Sequence, residues 1–220
     1  MAKKRTAKPA TDEPTGAKTE IKPEWNVENV VATVVVPLDG PEGKIDLNQI
    51  ARKYTDCAYN PERFPGLIMR VAEPKATVLV FSTGKMVVTG LRQASEAEAV
   101  VSNVIKKIKG AKVAINAEPV ITVQNIVASG DLHVSIDLNE ASIIMENAMY
   151  EPEVFPGLIY RMAEPKTVFL IFSTGRIVCT GAKTKEIVGA AIEKLVEQIK
   201  EYGVVQEPGQ EGAGDDDDFI

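Results

Sequence analysis

The chain has 220 residues, enough for one large domain or two small ones, and its 45% hydrophobic and 25% charged residues are ordinary for a soluble globular protein. No segment approaches the roughly 20 apolar residues of a membrane helix, and the basic N-terminus lacks the apolar stretch of a secretory signal. Cys57 and Cys179 form no CxxC pair and His133 is the only histidine, so we expect neither a metal site nor any other cofactor. The net charge of −6 argues at first against nucleic acid as a partner.

Elements are predicted from the N-terminus onward. Residues 1–23 lack apolar periodicity and predict a disordered tail. The β-branched segment WNVENVVATVVVP, which begins at Trp25, predicts a strand. The segment IDLNQIARKY then begins a short helix with Asp46 as its N-cap. The segments GLIMRVAEP, ATVLVFSTG and KMVVTG predict three antiparallel strands, because turn residues separate them.

A second helix follows these strands, because apolar residues recur there with helical spacing on one face. The face consists of Ala97, Val100, Val101, Val104, Ile105 and Ile108. The same spacing returns later in the chain at Val188, Ala191, Ile192, Leu195, Val196 and Ile199.

The whole pattern occurs twice. At an offset of 91 residues, segments 60–90 and 151–181 are identical at 20 of 31 positions, and Asp137 repeats the N-cap. Asn29 and Asn125 are instead 96 residues apart, so we place five extra residues in the first copy, in the loop PLDGPEGK. We interpret residues 24–115 and 116–206 as tandem copies related by an approximate twofold axis. Residues 207–220 are Gly-rich and acidic, which predicts a disordered tail.

The predicted sheet has more apolar surface than its helices can cover. In the first strand, Val30, Ala32 and Val34 alternate with a second set, which is Asn29, Val31 and Thr33. Both sets are largely apolar, whereas an antiparallel sheet normally has one polar face. We expect the helices to cover one face, and the face that carries Asn and Thr to be the binding surface.

The minor groove of DNA is a partner that fits such a surface. Its floor presents the acceptors adenine N3 and thymine O2, and adds an amino group at guanine. Side chains of Asn29, Asn125, Thr89 and Thr180 can donate to the acceptors, and flat valines leave no room for the amino group. The charge objection weakens because Asp215 to Asp218 supply four of the negative charges outside the predicted fold.

Each copy also carries a Phe-Pro-Gly sequence, in which a large apolar ring lies on a turn that should be exposed. Packing in a core is the ordinary role of phenylalanine, but repetition and turn position favour another role. A phenylalanine that protrudes can insert between base pairs and kink the duplex. The candidates are Phe64 and Phe155 on the turns, and Phe81 and Phe172 at strand ends.

The repeated motifs F-P-G-L-I-x-R-x-A-E-P-K, F-S-T-G-[KR], V-x-T-G and N-[VI]-V-[AS] closely resemble the TATA-box-binding protein family over everything except the tails. The resemblance implies an α+β, pseudo-twofold saddle with a curved ten-stranded antiparallel sheet and four helices on its convex face. Wedging and kinking of DNA are established behaviour of this family. The acidic C-terminus and the lack of a long Gln-rich N-terminal region are similar to archaeal members.

The resemblance also implies roles for individual residues. It implies contacts with the groove floor from Val31, Val127, Val87, Val178, Leu79, Leu170 and Pro156. It implies phosphate contacts from Arg63, Arg70, Lys85, Arg161 and Arg176. Val154 stands where the first copy has Arg63, so the second copy lacks that phosphate contact.

The function that the resemblance implies is that of a general transcription initiation factor, without catalysis. The protein would bind A·T-rich TATA-box promoter DNA as a monomer, with weak self-association off DNA, and recruit transcription factor B and, indirectly, RNA polymerase. The turn with Glu151, Glu153 and Val154 matches the family's docking site for transcription factor B. We expect no membrane partner and a place in the cytoplasm, at the nucleoid of an archaeal cell.

Two other classes of function stay open on the residues alone. The apolar face could serve a non-catalytic module that binds a protein or another ligand, such as a lipid. An enzyme is the other alternative, because DNA glycosylases contain a related saddle-like half. Those enzymes need an additional helical domain with a catalytic Asp or Lys, and this chain has no residues left to build one.

Overall fold

The computed structural model of the protein describes residues 20–38, 43–112, 115 and 118–206. Its helices are α1 (Leu47–Lys53), α2 (Glu96–Gly110), α3 (Leu138–Ile144) and α4 (Lys185–Tyr202). Its strands are β1 (Glu24–Val35), β2 (Cys57–Ala58), β3 (Leu67–Val71), β4 (Ala76–Val80), β5 (Lys85–Leu91), β6 (Val120–Asp131), β7 (Ser135–Ile136), β8 (Ala148–Met149), β9 (Leu158–Met162), β10 (Thr167–Ile171), β11 (Arg176–Ala182) and β12 (Val205–Gln206).

Ten of these strands form one antiparallel sheet, in the order β2-β3-β4-β5-β1-β6-β11-β10-β9-β8. The sheet is curved and not closed, and the helices lie on its convex face. The two halves meet where β1 pairs with β6. There Val30 faces Ile126, flanked by the pairs Asn29–Val127 and Val31–Asn125. Because Val30 and Ile126 correspond in the repeat, the approximate twofold axis passes through this pair, as the duplicated sequence predicts.

Each of the two central strands, β1 and β6, contains one residue that has no partner in the other strand. The pairing of β1 with β6 skips Glu28 between Val27 and Asn29, and skips Gln124 between Val123 and Asn125. Glu28 and Gln124 correspond in the repeat, so the two irregularities lie symmetrically about the axis. A bulge bends its strand and increases the local twist. The pair of bulges therefore contributes to the curvature at the centre of the sheet.

The helices begin and pack as predicted. Asp46 Oδ1 accepts from the Gln49 backbone N–H at 3.1 Å, and Asp137 Oδ1 accepts from that of Glu140 at 3.0 Å, which confirms both N-caps. The apolar face of α4 is fully buried, and that of α2 is buried except at Ile105, which is partly exposed. Full burial of one valine, leucine or isoleucine side chain stabilises the folded state by about 1.5–3 kcal/mol.

The predicted alternation in the strands is also confirmed. Val30, Ala32 and Val34 are buried beneath the helices, whereas Asn29, Val31 and Thr33 are partly exposed on the opposite face. The same division holds in β4, β5, β10 and β11. The helices therefore cover a face that is apolar except for Thr167 in β10, and the face with Asn29 and Thr33 is the concave one.

Most of the two predicted tails, residues 1–19 and 207–220, lies outside the described residues, as do residues 39–42 of the loop with the five extra residues. Packing begins before the predicted boundary at residue 24, because Ile21 is buried in the core. One apolar residue among polar neighbours produces no periodic signal, so the sequence pattern did not indicate this contact. Among the described residues, no helix is both long and apolar enough to span a membrane.

Candidate nucleic-acid interface

A small polar network lies beside the twofold axis on the concave face. The backbone N–H of Gly90 donates to Asn29 Oδ1 at 2.7 Å, and Asn29 Nδ2 donates to Thr89 Oγ1 at 3.2 Å. A backbone N–H can only donate, so the atom it meets must be the amide oxygen. The orientation of the Asn29 amide is therefore determined, and one hydrogen on Nδ2 remains available to an external acceptor.

The second repeat reproduces this network. Gly181 donates to Asn125 Oδ1 at 2.8 Å, and Asn125 Nδ2 donates to Thr180 Oγ1 at 3.1 Å. Gly90 and Gly181 have φ values of +91° and +96°, a left-handed conformation that strains any residue with a Cβ. The V-x-T-G motif thus contains glycine because the backbone N–H has to turn toward the asparagine.

The four predicted wedge residues form two matching pairs. Phe64 and Phe81 have ring centroids 5.8 Å apart, and Phe155 and Phe172 have centroids 5.9 Å apart, with an interplanar angle of 64° in both pairs. Edge-to-face contact is one of the two arrangements that aromatic pairs prefer, the other being offset stacking. All four rings are partly exposed.

The glycine of each Phe-Pro-Gly sequence makes room for its phenylalanine. A Cβ on Gly66 would lie 2.6 Å from Phe64 Cε1, and one on Gly157 would lie 2.7 Å from Phe155 Cε1. Real Cβ atoms do not approach so closely, and the neighbouring ring is also within 3.1 Å. The ring can therefore fold over the turn only where the turn has no side chain.

The predicted floor residues lie in two rows across the concave face. In the first repeat, Thr33 pairs with Val87, Val87 with Leu79, and Leu79 with Ile68. In the second repeat the row is Ser129, Val178, Leu170 and Ile159. Val31 and Val127 lie nearer the axis, as partners of Asn125 and Asn29. The floor is thus apolar on both sides of a polar centre.

The predicted phosphate-binding residues surround this floor, and all of them are exposed. They are Arg63, Arg70, Lys85, Arg161 and Arg176. Arg70 pairs with Thr77 and Arg161 with Val168, at equivalent places in the two halves. Arg176 lines a depression of about 660 Å³ together with Pro156, Phe172 and Val178. The structure therefore brings a cation, a wedge residue and two floor residues of the second repeat together.

Sequence reasoning missed the two bulge residues. Glu28 Oε1 accepts from Ser129 Oγ at 2.8 Å, and Gln124 Nε2 donates to Thr33 Oγ1 at 2.8 Å. Both side chains thus reach hydroxyls on the concave face. Only Glu28 is charged, and Arg92 approaches it at 3.4 Å. Ile68 and Ile159 were missed as well, although the strand alternation could have indicated them.

The residues that we excluded as metal ligands are Cys57, Cys179 and His133. Among residues 20–38, 43–112, 115 and 118–206, no three His, Cys, Asp or Glu side chains lie close enough to hold a metal ion. Burial raises the pKa of the Cys179 thiol to about 11. Burial, aided by the charge of Asp56, raises the pKa of Cys57 to about 11. Both thiols are therefore protonated and weakly nucleophilic at neutral pH.

The turn predicted to bind a partner protein projects into solvent. Glu151, Glu153 and Val154 are exposed, and Val154 is 79% exposed. The backbone N–H groups of Val154 and Phe155 both donate to the carbonyl of Glu151 at 2.9 Å. The turn therefore presents its acidic and apolar side chains while the same backbone positions Phe155.

Comparison with known proteins matches both halves of the chain. The sequence pattern of the family described as "Transcription factor TFIID (or TATA-binding protein, TBP)" matches residues 24–111 and 120–202. A TATA-box-binding protein from Pyrobaculum aerophilum is 47% identical over 191 residues, which cover 86% of this chain and 94% of that protein. One from Aeropyrum pernix is 46% identical, over 87% of this chain and 92% of that protein. The solved structure of Methanococcus jannaschii TBP covers 81% of this chain and 99% of its own, with a TM-score of 0.72 and 38% identity.

Proposed function

The chain belongs to the TATA-binding protein family of transcription factors, and from this premise we propose that it is a general initiation factor that binds the minor groove of A·T-rich promoter DNA and kinks it. The observation that carries the proposal is the concave face, which has two matching Asn–Thr–Gly networks and two matching phenylalanine pairs on a largely apolar surface. The repeats, which we delimit at 24–115 and 116–206, each contact one half of the site.

Base reading starts from the two asparagines. Each amide is held by a glycine N–H, so its free hydrogen is oriented before DNA arrives. That hydrogen donates to adenine N3 or thymine O2 at the centre of the site. Val31 and Val127 lie directly beside the asparagines and fill the space that a guanine amino group would need. The preference for A·T pairs therefore combines a donor with steric exclusion.

Kinking depends on the phenylalanine pairs at the outer parts of the concave face. Insertion of rings between base pairs costs a few kcal/mol per unstacked step. The bent duplex offsets this cost, because its widened groove contacts the apolar floor along both halves. The rings of each pair support one another, so the inserted ring stays rigid and loses little conformational freedom.

Phosphates on both sides of the groove are bound by the exposed cations of the rim. Contacts of this kind position the protein on the duplex and carry no sequence information. They release counterions, so the affinity falls as salt concentration rises. Arg63 has no cationic counterpart at Val154, and the second half therefore makes one phosphate contact fewer.

A second protein has to supply direction, because two such similar halves on a near-symmetric site cannot distinguish its two orientations. Transcription factor B docks on the turn with Glu151, Glu153 and Val154, and brings RNA polymerase to the promoter. Two glutamates beside phosphates are repelled by DNA, so they turn toward a basic protein. The protein acts as a monomer on DNA, at the chromosome.

The experiment that tests the proposal compares A·T-rich and G·C-rich duplexes of equal length in a gel-shift titration at one salt concentration. Specific DNA-binding proteins prefer their sites over non-specific DNA by about 10³ or more. We expect a preference of that order for the A·T-rich duplex. Equal affinity for the two duplexes would contradict sequence-specific binding, and no binding to either would contradict the function as a whole.

A further inference from the structure

An unusual amount of apolar surface is exposed at the outer end of the second repeat. Among the described residues, four of the six exposed large apolar side chains lie between residues 143 and 154. Ile143 is 84% exposed, Val154 79%, Met149 48% and Ile144 39%. The equivalent residues of the first repeat are Arg52, Lys53, Ala58 and Arg63. Each of the four positions is thus apolar in one repeat, and basic or small in the other.

The charges of the two outer ends differ in the same direction. Residues 47–64 contain three basic and two acidic residues, whereas residues 138–155 contain four glutamates and no basic residue. The glutamates are Glu140, Glu146, Glu151 and Glu153. Within the described part of the chain, none of their carboxylates forms an ion pair. The exposed apolar side chains are therefore interspersed with uncompensated negative charge.

These residues form one stretch of structure, which we name the 140–154 surface. It consists of the exposed side of α3, the connection to β8, β8 itself and the turn before Phe155. The strand β8 ends the sheet and pairs only with β9, so its other edge is open. Leu138 and Ala141, together with Met145, anchor α3 in the core. Ile143 and Ile144 are therefore not needed to hold the helix in place.

The composition of the 140–154 surface indicates the chemistry of its partner. A monomer gains nothing from isoleucines in water, and exposed apolar clusters with polar rims are typical of protein-binding sites. DNA is unsuitable, because four carboxylates repel phosphates. A second copy that presented the same surface would be repelled too, since a twofold contact places like charges together. Complementary charge points to a segment in which Lys or Arg alternate with apolar side chains.

We propose that the 140–154 surface is one continuous docking site for such a basic and apolar protein segment, and that α3 belongs to it as fully as the Phe155 turn does. The proposal rests on the proposed function, which assigns the turn alone to transcription factor B. The isoleucines supply the buried centre of the contact, and the glutamates pair with cations around it. The first repeat has Arg52 and Lys53 at the equivalent places and therefore rejects the same partner.

The test exchanges residues between the repeats. Ile143→Arg with Ile144→Lys gives α3 the residues of α1, and Arg52→Ala with Lys53→Ala is the matched control in the first repeat. Purified archaeal transcription factor B is titrated onto each full-length variant bound to an A·T-rich duplex. We expect the α3 exchange to weaken its binding about tenfold or more, as loss of a buried anchor does, and the control to have no effect. Affinity of the variants for DNA alone should stay within about twofold.

The outcomes separate this inference from the proposed function. If the α3 exchange bound transcription factor B normally while Glu151→Arg with Glu153→Arg abolished binding, α3 would lie outside the site and the proposed function would stand. If only sedimentation of the free protein changed, the occupant would be a second copy, and the inference would be wrong.

A milder variant, Ile143→Ser with Ile144→Ser, guards against misfolding, and its thermal midpoint and DNA affinity verify the fold. Hydrogen exchange in the wild-type ternary complex should show protection across residues 140–154, and protection confined to the turn would contradict the inference.

Discussion

In the first repeat the amide of Asn29 lies 2.7 Å from the Gly90 nitrogen, and in the second repeat the equivalent distance is 2.8 Å. The phenylalanine pairs agree within 0.1 Å and have the same interplanar angle. The outer ends of the same repeats differ in net charge and in polarity, since Arg52 and Lys53 correspond to Ile143 and Ile144. The proposed function accounts for this difference, because a near-symmetric duplex requires the same contacts from both halves, whereas a partner protein at one end leaves the other end free to differ.

We expect the largest effect from substitutions that remove the acidic charge at the outer end of the second repeat. Glu151→Arg with Glu153→Arg makes the second turn basic, whereas the first turn is neutral because it has both Glu62 and Arg63. We expect the ternary complex with transcription factor B to be lost, because a cationic segment then meets like charge. Binding to DNA alone should be unchanged or slightly tighter. Gel shifts with and without transcription factor B measure both, and normal recruitment by the double variant would show that the docking site lies elsewhere.

The next effect tests the symmetry of the wedges. Phe155→Ala with Phe172→Ala should remove one kink and weaken binding by a few kcal/mol, since the rings offset the cost of unstacking. Because the pairs share one geometry, Phe64→Ala with Phe81→Ala should have an effect of similar size. Fluorescence energy transfer between the ends of a labelled duplex measures the bend. Unchanged bending in both double variants would refute the wedge assignment.

Asn29 and Asn125 should govern the discrimination between base pairs. Replacement of either by Ala should cost about 1–3 kcal/mol on the best A·T-rich site, as loss of a base-reading contact does. The two single variants should behave alike, because their networks are equivalent. Arg70→Ala should behave differently. It should weaken binding to all DNA sequences equally, and it should reduce the slope of log affinity against log salt concentration by about 1. Equal losses on A·T and G·C duplexes would give the asparagines a positional role only.

A smaller effect concerns the one charged difference near the axis. Glu28→Gln gives the first repeat the residue that Gln124 provides in the second. Removal of a carboxylate near phosphates should tighten DNA binding, by about two- to fivefold at low salt, and the gain should shrink as salt screens it. Gln124→Glu should have the opposite effect. A titration over a range of salt concentrations checks both, and a gain that is independent of salt would exclude an electrostatic cause.

The smallest effect concerns stability, through an ion pair that only the first repeat has. The hydrogen bond from Lys107 holds the pKa of Asp56 below its ordinary value, whereas the second repeat has Asn147 at this position. A lowered pKa stabilises the fold above the ordinary value near 3.8, and this contribution is lost as the pH falls through the folded-state pKa. Because the Lys107–Asp56 ion pair is partly exposed, we expect it to contribute less than about 1 kcal/mol to the free energy of unfolding. Thermal midpoints of wild type and Asp56→Asn should differ at pH 6, and the difference should shrink as the pH falls below the ordinary pKa of 3.8. A difference that does not change with pH would contradict this origin.

Local patterns in the sequence determined a large part of this protein. The repeat, the helix faces, the N-caps at Asp46 and Asp137, and the two-faced strands all follow from spacing and residue type, and the structure agrees with them. The Phe-Pro-Gly and Thr-Gly sequences marked two of the places where the concave face carries unusual groups. Such features depend on residues a few positions apart, which a single sequence displays directly.

Only the tertiary structure decided how distant residues meet. The Gly90 nitrogen approaches an amide 61 residues away, the axis passes through Val30 and Ile126, and bulges bring Glu28 and Gln124 to the concave face. Isoleucine is among the residues most often buried, yet α3 packs through Leu138 and Ala141 and leaves Ile143 and Ile144 exposed. Periodicity establishes which residues share a face, whereas the docking of remote elements decides which faces are covered, because burial is a property of the assembled chain.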